Sequence, residues 1–168
     1  MTAFIGGVTQ FFVPTHLLAV VALGLLAGQP VARFPASLLA MFAIGLAAGS
    51  VAVASAVRET PAALVLLILA ACVASLVLIA TTPPSWLASL LALAVGAALP
   101  LNAPPHEITI PAAVAAQTGL AIAAFATFSV VTFIALKAGR PWQRVGMRIV
   151  GSWIAASAIL VLALRLVR

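Results

Sequence analysis

Charge is what this sequence most conspicuously lacks. Only 6% of its 168 residues are Asp, Glu, Lys or Arg. A soluble domain carries roughly 25% to cover its surface, so water cannot be the solvent of this fold. Acids are the scarcest of all: Glu59 and Glu107 are the only two. That leaves no paired intramembrane carboxylates for acid–base chemistry. Tyrosine is missing altogether. The single cysteine, Cys72, excludes an internal disulfide and a Cys/His zinc cluster. There is no Gly-x-Ser-x-Gly elbow around Ser50 or Ser152 and no phosphate-binding glycine loop. An enzyme is therefore not expected.

What is present is apolar: 65% of residues are hydrophobic and the mean hydropathy is +1.33. A membrane span needs about 20 apolar residues. Six candidate stretches stand out: Gly7–Gly28, Ala36–Val57, Pro61–Ala80, Pro84–Leu99, Pro111–Leu136 and Val145–Val167. Prolines punctuate the boundaries. Pro30 and Pro35 flank the first connection, and Pro61 and Pro111 stand where a helix can start without losing a hydrogen bond. Pro100, Pro104 and Pro105 are expected to end the fourth span. Pro14 falls inside the first. The fold class expected is all-α: one integral membrane domain, residues 1–168, built as a bundle of about six transmembrane helices. The first residues carry no basic n-region, so the first helix is expected to stay in the mature protein.

The net charge of +6 comes from eight Lys and Arg. They lie between or after apolar runs, which points to membrane topology and headgroup contact rather than to nucleic acid. Arg33, Lys137, Arg140, Arg144 and Arg148 fall on one side of a six-span bundle, and Arg58, Arg165 and Arg168 on the other. The positive-inside rule then places both termini outside. A multi-pass protein of a bacterial-type inner membrane is expected, with lipids as its first partners. No soluble substrate is evident. Trp86, Trp142 and Trp153 are expected near span ends as interface anchors.

Small residues recur at four-residue spacing: Gly24 and Gly28, Gly45 and Gly49, Gly151 and Ala155. In lipid such pairs let helix backbones approach closely. Polar residues are few and gather toward one end. Thr9, Gln10, Thr15 and His16 open the first span, Asn102, His106 and Glu107 lie between the fourth and fifth, and Gln117 and Thr118 sit about two turns into the fifth. Histidine and carboxylate ligands suit borderline divalent metals. His16, His106 and Glu107 are thus candidate metal ligands, with Thr15, Gln117 and Thr118 along a transport path. Each also has a plainer role. His16 can bond a backbone carbonyl freed near Pro14, His106 and Glu107 can be an ordinary loop pair, and Gln117 and Thr118 can join helices.

The stretch from His16 to Gln29, His-Leu-Leu-Ala-Val-Val-Ala-Leu-Gly-Leu-Leu-Ala-Gly-Gln, resembles the first helix of the HupE/UreJ family of membrane proteins. So does the segment Arg148–Ala156 its last helix, and loosely the His106-Glu107 loop with Pro111 after it. The resemblance implies a nickel or cobalt permease-like protein, with Ni2+ or Co2+ as transported ion and no certain cofactor. The family's pattern, close to His-Pro-x-x-Gly-x-Asp-His-Leu-Leu-Ala-Met, places its first His and Pro on Thr9 and Gln10, its Gly on Val13 and its Asp on Thr15. Of those ligands only His16 is kept. The alternative expectation is a non-transporting accessory or structural subunit of a larger membrane complex, its apolar faces packed on other membrane subunits. A channel for a small neutral solute would need a continuous polar path, and the far half of the bundle offers only scattered residues such as Ser50, Ser55 and Thr127.

Overall fold

The computed structural model describes residues 1–29, 35–54, 62–81, 83–105 and 109–166. Arg33, Arg58, Pro61 and Arg168 lie outside them. The described chain is helical, in the order α1 (Thr2–Phe11), α2 (Pro14–Ala27), α3 (Pro35–Ala54), α4 (Ala62–Ile79), α5 (Ser85–Asn102), α6 (Ile110–Leu136) and α7 (Pro141–Leu166). Helices α3 to α7 are each long and apolar enough to cross a membrane, and α1 with α2 makes a sixth span if the pair is counted as one.

The first span is not the continuous helix expected from hydropathy alone. It breaks at Phe12–Val13, and the two halves meet at 66°. The cause is local. Pro14 disfavours helical geometry in the residue before it, and Val13 is extended, with φ −60° and ψ 132°. Pro14 then takes the first position of α2, where its missing N–H costs nothing. At 1.5 Å per residue, the 14 residues of α2 reach only about 21 Å, less than a hydrocarbon core of about 30 Å.

Although short, α2 is the axis of the bundle. Nine of its fourteen residues are buried, too many for one face, and it packs against α4, α5, α6 and α7. Around it α3 lies on α5, α4 on α7, and α1 on the start of α6. Two rings, Phe42 of α3 and Phe128 of α6, are wholly buried and meet with centroids 4.8 Å apart.

Glycines set the distances between these helices. A side-chain carbon added at Gly45 or Gly49 would strike the α5 backbone at Leu93 or Ala97, and one added at Gly96 would lie 2.5 Å from the Phe42 carbonyl oxygen. These three glycines interleave, so α3 and α5 touch backbone to backbone. Gly24 makes room for the Val131 side chain of α6, Gly28 brings the end of α2 onto Ala135 and the Thr132 carbonyl, and Gly151 rests on the Val77 side chain of α4. All three expected pairs thus have at least one glycine at an interface. Two further contacts carried no such spacing: Gly7 on Ala116, and Gly119 on Phe4 and Val8, which seat α1 on α6.

Helix ends differ from expectation where local bonds override the proline pattern. Helix α5 continues past Pro100 to Asn102. A proline withdraws one N–H from the preceding turn but does not stop residues after it from staying helical. Helix α7 begins four residues earlier than hydropathy suggests. The Arg140 N–H donates to Gln143 Oε1 at 2.9 Å and Pro141 occupies the first turn, half of a capping box. With that earlier start, Trp153 falls mid-helix and exposed. Trp86 and Trp142 do sit in first turns, also exposed. Helix α4 closes with a Schellman motif, Thr81 N–H to Leu76 O at 3.2 Å and Ala80 N–H to Val77 O at 3.1 Å. Its left-handed position, usually glycine, is Ala80 at φ 54°.

Gly96→Ala is expected to destabilise the bundle by about 1–3 kcal/mol, because backbone rather than a side-chain tip must move. Gly6→Ala, which meets nothing within 4 Å, should be neutral or slightly stabilising; unfolding in detergent micelles compares the two. By the same measurement, Ala80→Gly should raise stability by roughly 1 kcal/mol, since glycine carries no penalty at positive φ.

Candidate functional site

The two ends of the bundle have different chemistry. At one, α6 hands over to α7 with Lys137, Arg140, Arg144 and Arg148 within twelve positions. At the other, the break between α1 and α2 meets the end of α5 and the start of α6, and the polar residues gather. His16 in the first turn of α2 is 1% exposed. It is one of three buried polar residues among those described, with Gln29 and Thr132.

The break explains what His16 does. In an unbroken helix the Gln10 carbonyl would accept from the N–H of residue 14, and Pro14 has none. The Val13 N–H reaches Gln10 O at 3.4 Å, and the His16 ring turns back to place its Nδ1 3.0 Å from the same oxygen. A carbonyl only accepts, so Nδ1 carries the proton. Nε2 then accepts from the Asn102 side-chain amide at 2.8 Å. These bonds define a neutral imidazole protonated on Nδ1. One ring therefore repairs the break and ties α2 to the last residue of α5. Gln117 continues the contact, its Nε2 donating to Ala103 O at 3.0 Å, which joins the start of α6 to the same corner. Gln117 Oε1 is buried there with no partner.

The remaining candidates divide. Thr15 stands beside His16, half-buried. Thr118 Oγ1 bonds back to Val114 O at 2.8 Å and is exposed. Gln117 and Thr118 also line an apolar groove of about 850 Å³ between α3 and α6. Its third polar residue, Ser50, bonds back to Leu46 O at 2.8 Å. The groove is open along a flank where Ile110, Val114, Ile122 and Phe125 are exposed. His106 and Glu107 lie outside the described residues. Among the described residues, no three His, Cys, Asp or Glu side chains come together as a metal-binding group.

The structure thus joins His16, Asn102 and Gln117, which the sequence had only placed toward one end. Asn102 was visible as a polar loop residue. Its pairing with His16 was not, because it depends on α5 running two residues beyond Pro100. The freed carbonyl was readable from Pro14.

Removing the Asn102 amide with Asn102→Leu should cost about 1–3 kcal/mol, the penalty for leaving a buried polar partner unpaired. Nitrogen-15 NMR of histidine-labelled protein should show His16 as a neutral ring protonated on Nδ1, whereas an imidazolium signal near neutral pH would refute this network. No family model, curated protein or solved structure matches the chain.

Proposed function

We propose that this protein is a small multi-pass permease for a divalent cation of the nickel or cobalt kind, with His16 as its central ligand. One observation carries the reading: a spanning element is interrupted at the same place where a buried histidine meets polar groups from a second helix. Interrupted helices bring unpaired carbonyls and half-helix ends to an ion, and here Gln10 O, His16 and Asn102 meet at such a break. A cation at Nε2 would displace the Asn102 amide nitrogen, and a turn of that amide would offer Oδ1 as a hard ligand beside the imidazole. His106 and Glu107 would gather cations at the mouth, with Thr15, Gln117 and Thr118 along the way in. The resemblance of His16–Gln29 to the HupE/UreJ family supports the same reading. The described cations cluster at the far end, four against Arg165 alone. By the positive-inside rule that end faces the cytoplasm of a bacterial-type inner membrane and the histidine end, with both termini, faces out.

A second reading has its own support. Both nitrogens of His16 are held by the protein, and no three-ligand group forms among the described residues. A chain that kept the scaffold and lost the ion would look like this. It would serve as an accessory subunit of a larger membrane complex, presenting its apolar faces to other membrane subunits. Neither reading includes a catalytic step.

Radioactive nickel accumulation separates them. Cells expressing the wild-type chain should accumulate nickel above empty-vector cells. His16→Ala at equal membrane abundance should abolish the difference, and Asn102→Ala should reduce it. Accumulation that survives His16→Ala refutes a permease with His16 as its central ligand. No accumulation of nickel or cobalt, together with a stable partner after mild detergent extraction, establishes the accessory role instead.

A further inference from the structure

We infer that the corner between α6 and α7 is a binding surface for the phosphate of an anionic phospholipid. This inference does not depend on the permease reading. Lys137 ends α6, Arg140 precedes α7 with its carbonyl accepting the first N–H groups of that helix, and Arg144 and Arg148 follow at four-residue spacing. Residues four apart share a helix face, each about 6 Å further along the axis. The three arginines therefore form a stripe about 12 Å long, and all of them are exposed. Among the described residues there is no acidic side chain to compete for them; Glu59 and Glu107, the only acidic residues in the sequence, belong to the α3–α4 and α5–α6 connections.

The depth of the stripe selects a headgroup over a soluble anion. Helix α7 carries no charged residue from Ile149 to Leu164. That is about 24 Å at 1.5 Å per residue, short of a hydrocarbon core of about 30 Å by a distance that long arginine side chains at its two edges cover by reaching outward. Arg148 stands at one edge of this stretch and Arg165 at the other. Arg148 also marks the level where α4 ends, because its Nε donates to Leu78 O at 3.0 Å beside the α4 terminus. The turns of α7 before it, with exposed Trp142, thus rise from the hydrocarbon edge into the phosphate layer. Trp142 has the amphipathic ring that favours this depth. The Lys137 ammonium rests over the Phe133 ring, 4.3 Å from its centroid, a cation–π contact that commits it to α6 rather than to the stripe. Three arginines in one stripe at the membrane surface are the arrangement that recognises anionic lipid. Among the described residues the other end has one arginine or lysine, Arg165.

The test uses Trp142 as reporter, after Trp86→Phe and Trp153→Phe remove the other two tryptophans. The full chain is reconstituted in vesicles of brominated phosphatidylglycerol or brominated phosphatidylcholine. Trp142 quenching should show a preference for the anionic lipid of roughly fivefold or more at low salt, weakening as salt screens exposed charge. Arg140→Gln with Arg144→Gln should abolish the preference. Arg140→Lys with Arg144→Lys should keep most of it, and Arg165→Gln should leave it unchanged. The glutamine pair retains Arg148 and its bond to α4, and circular dichroism checks that its helices are intact. Equal quenching by the two lipids, or a preference that survives the glutamine pair, overturns the proposal. So does release of the bound lipid by millimolar inorganic phosphate, which would mark a site for free anions.

Discussion

Hydrocarbon offers nothing to a stray carbonyl, and every other feature of the histidine end follows from that constraint. Pro14 breaks the first span and denies the Gln10 oxygen its i+4 donor, leaving it only the longer bond from the Val13 N–H at 3.4 Å. In water a solvent molecule would settle it. Here a side chain completes what the 3.4 Å backbone bond begins, and His16 does so at 3.0 Å. Once Nδ1 is committed to donating, the neutral ring has an acceptor at Nε2, and that acceptor needs a donor in turn. Asn102 supplies it. The chain of obligations runs from one proline to a contact between α2 and α5, and then through Ala103 and Gln117 to α6.

A second constraint shapes the rest of the bundle. Lipid tails are as apolar as leucine, so burying leucine between helices gains little, and close backbone contact must hold them together instead. This is why glycine rather than bulk marks the interfaces. Gly45, Gly49 and Gly96 interleave where α3 meets α5, and Gly7 and Gly119 seat the short α1 on α6. Without that seat α1 would have little to hold it, since it is too short to span the membrane by itself. The α1–α6 contact therefore holds one side of the break, while His16 and Asn102 hold the other.

These two constraints also explain what the sequence could and could not reveal. Hydropathy and proline spacing were enough for five spanning helices, and four-residue glycine spacing was enough for three interfaces. Both signals are local, and lipid enforces them strictly. The 66° bend was not legible, because Pro14 inside a hydrophobic run is compatible with a mild kink or a full break. The outcome is decided by what packs on each half, above all Gly7 against Ala116. The pairing of Asn102 with His16 spans 86 residues. It rests on α5 continuing past Pro100, a choice no local pattern encodes. Gly96 and Gly119 were missed for a related reason: a single glycine answers a partner on another helix rather than a neighbour in its own sequence.

The same hydrogen bonds bear on how a site of this kind could work. A histidine that is structurally required is poorly placed to be a free ligand, since giving up Nε2 to a cation removes the acceptor that holds Asn102. Binding would then loosen α5 from α2 at the moment a charge enters. Nδ1 can stay on Gln10 throughout, which keeps the ring oriented and the break closed. The ion would thus compete with one helix contact while leaving the other intact, and occupancy would be coupled to the packing of α5 on the central helix. In an accessory subunit that coupling has no use, and the identical bonds serve only to close the break. What separates the two roles is whether Asn102 is ever displaced, not whether His16 is buried.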